Sequence, residues 1–200
     1  WQGITVVSTD SLLLGADQQV SLLVQYIKWR NNPSADSEAR RFAEMYLAYK
    51  TDNAISRFEK YWKKRERDGY EYFIFDADDF VNQEFGSGEN FFFHFENLYQ
   101  LVQKAYDLLG FEEFNSPYLN QFSDYVFLFD QNFGPELNLF IEYFEKEGQN
   151  TPVAIPENKD AVKIMTGHKS KGLEFPVVMI PSMRWEILRN QSKFLIRDGQ

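Results

Sequence analysis

The sequence predicts a mainly α-helical body set between two pieces of β structure, an arrangement that reads as an insertion into an α/β domain and not as two tandem domains. Three observations carry this expectation. Apolar residues recur at helical spacing over about 140 residues. Short β-branched runs stand at either end of that stretch, "GITVVS" at Gly3–Ser8 and "AVKIMT" at Ala161–Thr166. Charge divides along the same line. Lys+Arg 21 against Asp+Glu 30 gives the chain a net −9, yet Lys159 to Gln200 hold eight basic and four acidic residues. That tail is therefore +4 and residues 1–158 carry −13.

Each element has a local cause. After the first strand, Asp17 is placed to cap a helix running to about Arg30, with Val20, Leu23, Ile27 and Trp29 near helical spacing. "NNPSAD" stops it, because proline lacks a donor and restricts the residue before it. Further helices are expected over Ser37–Tyr49 and Asn53–Glu66. "DGYEYFIFDADD" is ambiguous, its aromatics suited to a strand with a loop after them. Helical spacing returns at Phe93–Leu109 and ends at Gly110, a natural residue for the left-handed position after a helix. Ser116 and Pro117 then offer a cap and a first helical residue for a helix to about Asp130, and another spans Glu136–Glu147. The polar segment "EGQNTPVAIPENKD" closes the helical block, and two strands follow, Ala161–Thr166 and Pro176–Pro181.

Composition bounds the function. Hydrophobic content of 44% and aromatic content of 18% indicate a folded chain. No apolar run approaches the roughly 20 residues needed to cross a bilayer, and the opening residues do not form a charged-then-apolar leader. A chain that starts at Trp1 is expected to be a piece of a longer protein. With no cysteine and two histidines, disulfides and thiolate metal sites are excluded, a transition-metal site is not expected, and a reducing cytoplasm fits. Between Asp68 and Glu147 only Lys104 and Lys146 oppose seventeen carboxylates, so that segment repels a phosphate backbone whereas the tail does not.

Several motifs resolve to bland readings. "FIFDADD" (Phe73–Asp79) lacks the glycine and final glutamate of a calcium loop and reads as a solvated acidic turn. "FGSGEN" (Phe85–Asn90) lacks the strand–helix frame of a phosphate cradle and reads as a flexible turn. His94, among four phenylalanines, is expected in the core or at its boundary. The aromatic stripes have the spacing of core packing.

"TGHKSKGLEF" (Thr166–Phe175) is different in kind. Thr166 and His168 offer a hydroxyl and an imidazole, Lys169 and Lys171 add positive charge, and Gly172 permits conformations a β-carbon forbids. These are the parts of a phosphate-backbone contact, placed after a strand where α/β ligands usually bind. Glu174 would repel phosphate but suits a hydroxyl-bearing sugar.

These residues carry a resemblance. "VKIMTGHKSKGLEFPVVMIP" resembles motif V of superfamily 1 DNA helicases of the UvrD/Rep/PcrA group and of the related AddA and RecB subunits of helicase–nuclease complexes, and "HKSKGLEFPVV" is closest to the AddA/RecB type. "GITVVS" is similar to the strand that follows motif IV in this group, and Asn32, Pro33, Asp36 and Ala39 match the Asn-Pro-x-x-Asp-x-x-Ala that ends the first helix of domain 2B. The two matches touch about sixty residues. Position 167, usually β-branched or leucine, is glycine here, which is expected to loosen the strand end.

The resemblance implies a helical 2B-type domain inserted between strands of a partial RecA-like domain 2A: residues 1–16 and 151–200 from 2A, the latter with motif V, and 17–150 from 2B. It implies an ATP-dependent helicase, acting 3′ to 5′ in DNA recombination and repair in the cytoplasm, with ATP and Mg2+ used by the parent protein and neither bound by this fragment. Thr166, His168, Lys169 and Lys171 would contact DNA, single-stranded and duplex, while Gly172 and Glu174 would meet ATP. A nuclease or helicase partner subunit is expected on the acidic helical domain, no membrane is expected, and open strand edges are expected to make the fragment self-associate. The rival reading is an acidic helical protein-interaction module with no motor function.

The sequence has no G-x-x-x-x-G-K-[ST], the cradle that positions the transferred phosphate. These 200 residues alone should therefore hydrolyse no ATP; DNA-stimulated phosphate release by clean material would contradict this.

Overall fold

The computed structural model describes residues 6–8, 13–111, 116–153, 162–168 and 170–180. They belong to two units, one ending at Ile164 and the other beginning at Met165. The first is mainly helical, as expected.

Helix α1 (Gln18–Asn31) is the element about which that unit is laid. The Asp17 carboxylate accepts from the Gln19 and Val20 amides at 2.9 and 3.0 Å, filling the role expected of it. The helix is apolar on nearly all sides: Val20, Leu22, Leu23, Tyr26, Ile27 and Trp29 are all buried. A helix of that kind must be surrounded. Helix α2 (Asp36–Lys50) packs along it, as do α7 (Pro117–Phe133) and α8 (Leu137–Lys146).

Aromatic rings join α1 to what covers it. Phe42 on α2 meets Tyr26, Trp29 and Phe91 at centroid distances of 5.8, 5.4 and 5.5 Å. Polar groups on α1 set the register. Gln25 donates to the Glu38 carboxylate at 2.6 Å, the Tyr26 hydroxyl to the Phe91 carbonyl at 2.6 Å, and Arg30 to the Phe93 carbonyl at 2.6 Å. Buried groups left unpaired would each cost roughly 1–3 kcal/mol, so these bonds select one arrangement.

The segment after α2 departs from the sequence expectation. The helix expected over Asn53–Glu66 is only α3 (Ala54–Glu59), and Trp62–Arg67 is strand β2 of a hairpin with β3 (Tyr70–Phe75). Asp68 and Gly69 make the two-residue turn, at φ +52° and +80°. Both angles positive is the turn whose twist matches antiparallel strands, and glycine takes it without strain. Phe75, paired with Trp62 and buried, anchors the base of the hairpin.

Four smaller differences from the sequence expectation stand beside this one. The Asp76 run is not a solvated turn: Asp76 caps helix α4 (Ala77–Phe85) by accepting from the Asp79 amide at 2.9 Å, and Asp79 pairs with Lys63 at 2.7 Å. "FGSGEN" is partly helical, with Ser87 capping the short α5 (Gly88–Phe91). Helix α6 runs over Leu98–Leu109 and not from Phe93, because the Asn97 side chain accepts from the Gln100 amide and starts it. His94 is exposed, not in the core. Its neighbours Phe93 and Phe95 both lie under the Arg30 guanidinium, at 5.3 and 5.5 Å, which turns the residue between them outward. Gly110 ends α6, and Ser116 and Pro117 open α7, where the sequence places them.

The chain's way into the helical body meets its way out. The Leu14 amide donates to the Thr151 carbonyl at 2.9 Å, and Leu13 bridges Pro152. Beyond this closure β1 (Val6–Ser8) runs parallel to β4 (Val162–Ile164), Val6 opposite Val162 and Ser8 opposite Ile164. Residues 3–5 and 161, expected in these strands, lie outside the described residues, and the strand expected to reach Thr166 stops at Ile164. Pro176–Ile180, expected as a strand, is not one. Val177, Val178, Met179 and Ile180 are exposed and have no neighbouring strand to pair with among the described residues, and a strand persists only in a ladder. Pro181 lies outside them. No helix among the described residues is long and apolar enough to cross a membrane.

Phe91 touches Tyr26, Trp29, Phe42 and Phe85, so Phe91→Ala should cost about 3–5 kcal/mol. Ile55→Ala, at an exposed site, should stay within about 0.5 kcal/mol. Urea unfolding of both variants checks the contrast; equal losses would refute it. A second outcome concerns pH. Burial raises the Tyr26 and Tyr61 hydroxyls well above the ordinary phenol range, and for Tyr61 a 2.6 Å bond to the Glu84 carboxylate adds to the effect. The unfolded chain then ionises first. Their stabilisation is full below about pH 10 and is lost as pH climbs above it. Tyr61→Phe should flatten that alkaline decline; an unchanged slope would count against this cause.

Candidate nucleic-acid interface

The second unit contains the loop that the sequence singles out. Backbone bonds shape it into consecutive turns: the Ser170 amide donates to the Thr166 carbonyl at 3.1 Å and the Leu173 amide to the Ser170 carbonyl at 3.1 Å. The Ser170 hydroxyl donates to the Gly167 carbonyl at 3.0 Å, closing the first turn from within. Gly172 sits at φ +81°, a conformation that residues with a β-carbon rarely adopt. A β-carbon at Gly172 would meet nothing within 4 Å in this structure, so it is the turn that requires glycine here. Gly167 is not at positive φ, and the turn begins two residues beyond the end of β4.

Thr166, His168, Lys171, Gly172 and Glu174 are all exposed or half-buried at the surface, and Lys169 lies outside the described residues. A hydroxyl, an imidazole, an ammonium and a carboxylate thus stand on one short loop at the surface. Such a surface can receive phosphate oxygens on short donors and a sugar hydroxyl on the carboxylate. It does not enclose a ligand. No group of three or more histidine, aspartate or glutamate side chains among the described residues is arranged to hold a metal ion. An open surface groove of about 620 Å³ lies elsewhere, lined by Glu84, Glu89, Asp107 and Lys104 among others, and its carboxylates disfavour a phosphate ligand.

Sequence reasoning missed a second feature, the β2–β3 hairpin. Register puts Lys63, Arg65 and Arg67 on one face with their cross-strand partners Ile74, Tyr72 and Tyr70. The opposite face holds Trp62, Lys64 and Glu66 with Phe75, Phe73 and Glu71, and there Lys64 pairs with Glu71 at 2.5 Å. The signal was present as Asp-Gly between two runs of β-prone or alternating residues. The charged run "KKRER" disguised it as the surface of a helix.

The first unit is a helical body closed at its base with two parallel-paired strands beyond it, and the second carries a Thr-x-His-x-x-Lys-Gly-x-Glu loop. A family model for the UvrD-like helicase C-terminal domain matches residues 18–193, and the chain belongs to that family. Among curated proteins the similarity is to the A subunit of ATP-dependent helicase/nuclease. The protein of that name from Lachnoclostridium phytofermentans is 42% identical over 87 residues, covering 44% of this chain and 5% of the relative. That from Oceanobacillus iheyensis is 49% identical over 49 residues, 24% of this chain and 4% of the relative. That from Streptococcus pneumoniae is 32% identical over 96 residues, 48% of this chain and 6% of the relative. The chain therefore matches only a small part of the length of these relatives.

Proposed function

We propose that the chain is part of an AddA-type ATP-dependent DNA helicase that unwinds DNA in recombination and repair, translocating 3′ to 5′ in the cytoplasm. In this reading residues 17–150 are a 2B-type insertion, and residues 1–16 and 151–200 are pieces of a RecA-like 2A domain. The observation that carries the proposal is the surface loop Thr166–Glu174, held in turns directly after a strand that pairs in parallel with one more than 150 residues earlier. Family membership over 176 residues supports it (18–193). ATP and Mg2+ belong to the whole protein. The relatives are named as one subunit of a helicase/nuclease, which supports a partner for this protein too, and the acidic helical body is the surface we assign to it.

Within the loop we assign Thr166, His168, Lys169 and Lys171 to DNA, and Gly172 and Glu174 to the nucleotide side. One loop then touches both ligands. A motor needs such a link, since nucleotide state can move a strand only through groups whose position depends on both.

In the intact protein, Thr166→Ala and His168→Ala should weaken single-strand coupling, lowering DNA-stimulated ATPase about tenfold while leaving nucleotide affinity nearly unchanged. Glu174→Ala should raise the ATP requirement with DNA affinity retained. Steady-state ATPase titrated separately in DNA and in ATP checks the division. If all three variants shift only the DNA titration, the assignment of Glu174 is wrong.

A further inference from the structure

The β2–β3 hairpin carries exposed residues on one face that the core does not bury. Arg65, Arg67, Tyr70 and Tyr72 lie on it side by side, all exposed, with Tyr70 79% exposed and the Arg67 side chain 83%. Successive residues on one face of a strand are about 7 Å apart, so two guanidiniums line one edge of the ribbon and two phenol rings the other. Core packing does not explain these rings, since the buried anchor is on the other face, at Phe75. Ion pairing does not explain the arginines. Lys63 is engaged by Asp79 and Lys64 by Glu71, whereas Arg65 has no such bridge among the described residues and Arg67 reaches only Asp68, at 3.7 Å and in solvent.

Charge is placed with the same asymmetry. Arg57 to Arg67 holds six basic residues against Glu59 and Glu66, inside a stretch of chain that is otherwise strongly acidic. On the hairpin both glutamates, Glu66 and Glu71, are on the face opposite Arg65 and Arg67. A surface that turns both hairpin glutamates away and shows guanidiniums beside aromatic rings matches a polyanion with exposed planar groups.

We propose that this face of the hairpin is a second nucleic-acid contact, in which Arg65 and Arg67 hold phosphates of a single strand and Tyr70 and Tyr72 stack on its unpaired bases. Single-stranded DNA, or the unpaired arm of a fork, is the ligand, because bases inside a duplex are stacked on one another and offer no face to a phenol ring. The choice of DNA over RNA rests on the helicase reading above; the contact itself rests on the hairpin.

The test is fluorescence anisotropy of the 200-residue chain with labelled oligothymidylate and with a blunt duplex, across a salt series. Arg65→Ala/Arg67→Ala should weaken single-strand binding about tenfold and reduce the salt slope by about 1.4, the loss of two phosphate contacts at about 0.7 each. Tyr70→Ala/Tyr72→Ala should weaken it about tenfold or more at an unchanged slope, with little effect on the duplex. All four side chains are exposed, so circular dichroism should be unaltered. Absence of oligothymidylate binding by the unmodified chain, wild-type binding by both hairpin variants, or a tyrosine effect equal on single strand and duplex would each overturn the proposal. So would light scattering in which the tyrosine variant dissociates a dimer while its DNA binding is unchanged. His168→Ala/Lys171→Ala separates the two readings. If that variant alone loses binding, the loop stands and the hairpin falls; if the hairpin variants alone do, the reverse holds.

Discussion

The first unit depends on one constraint: α1 has almost no face that can be left in water. Helices α2, α7 and α8 cover it, and the segment around Phe91 is drawn against it by the Tyr26 hydroxyl and the Arg30 guanidinium. Apolar burial would stabilise many such coverings nearly equally, because it has no direction. The Gln25, Tyr26 and Arg30 donors are directional, and each accepts only one placement of its neighbour. The rings of Trp29, Phe42, Phe80, Phe85 and Phe91 then fill the space between those fixed points.

A body built this way has consequences for its surface. Aromatic residues supply the core, so the exterior is free to be acidic, and residues 1–158 carry −13 in total. Among the described residues, exposed basic groups include those of the hairpin and Lys171 of the 166–174 loop. An acidic exterior steers a polyanion away from everything except such patches.

Much of the helical unit was legible in the sequence where a single side chain decides the geometry. Asp17, Ser116 with Pro117, and Gly110 each mark a helix end that the structure keeps. Legibility failed where the deciding interaction is distant. Trp62–Arg67 has the composition of a helix surface, and only pairing with Tyr70–Phe75 across the Asp68–Gly69 turn makes it a strand. Asn97 starts α6 in place of Phe93 because Asp130, 32 residues away, also takes the Leu98 amide. His94 faces outward because Arg30 holds the rings on either side of it. The candidate loop was readable as chemistry from Thr166 to Glu174, and the structure adds its turns and the conformational need for Gly172. The hairpin face was not readable, since the sequence separates Arg65 from Tyr72 and only the register brings them together.

On this reading the helical body is a self-sufficient unit organised on α1 and closed at Leu13–Pro152, with β1 and β4 attached to it and not required by it. Thermal unfolding of residues 13–153 alone, compared with the 200-residue chain, tests this most directly. A cooperative transition is expected, with its midpoint within a few degrees of the longer chain's, because the helices that cover α1 are all retained. A non-cooperative melt, or a midpoint lower by tens of degrees, would contradict it by showing that the flanking strands hold the helices together.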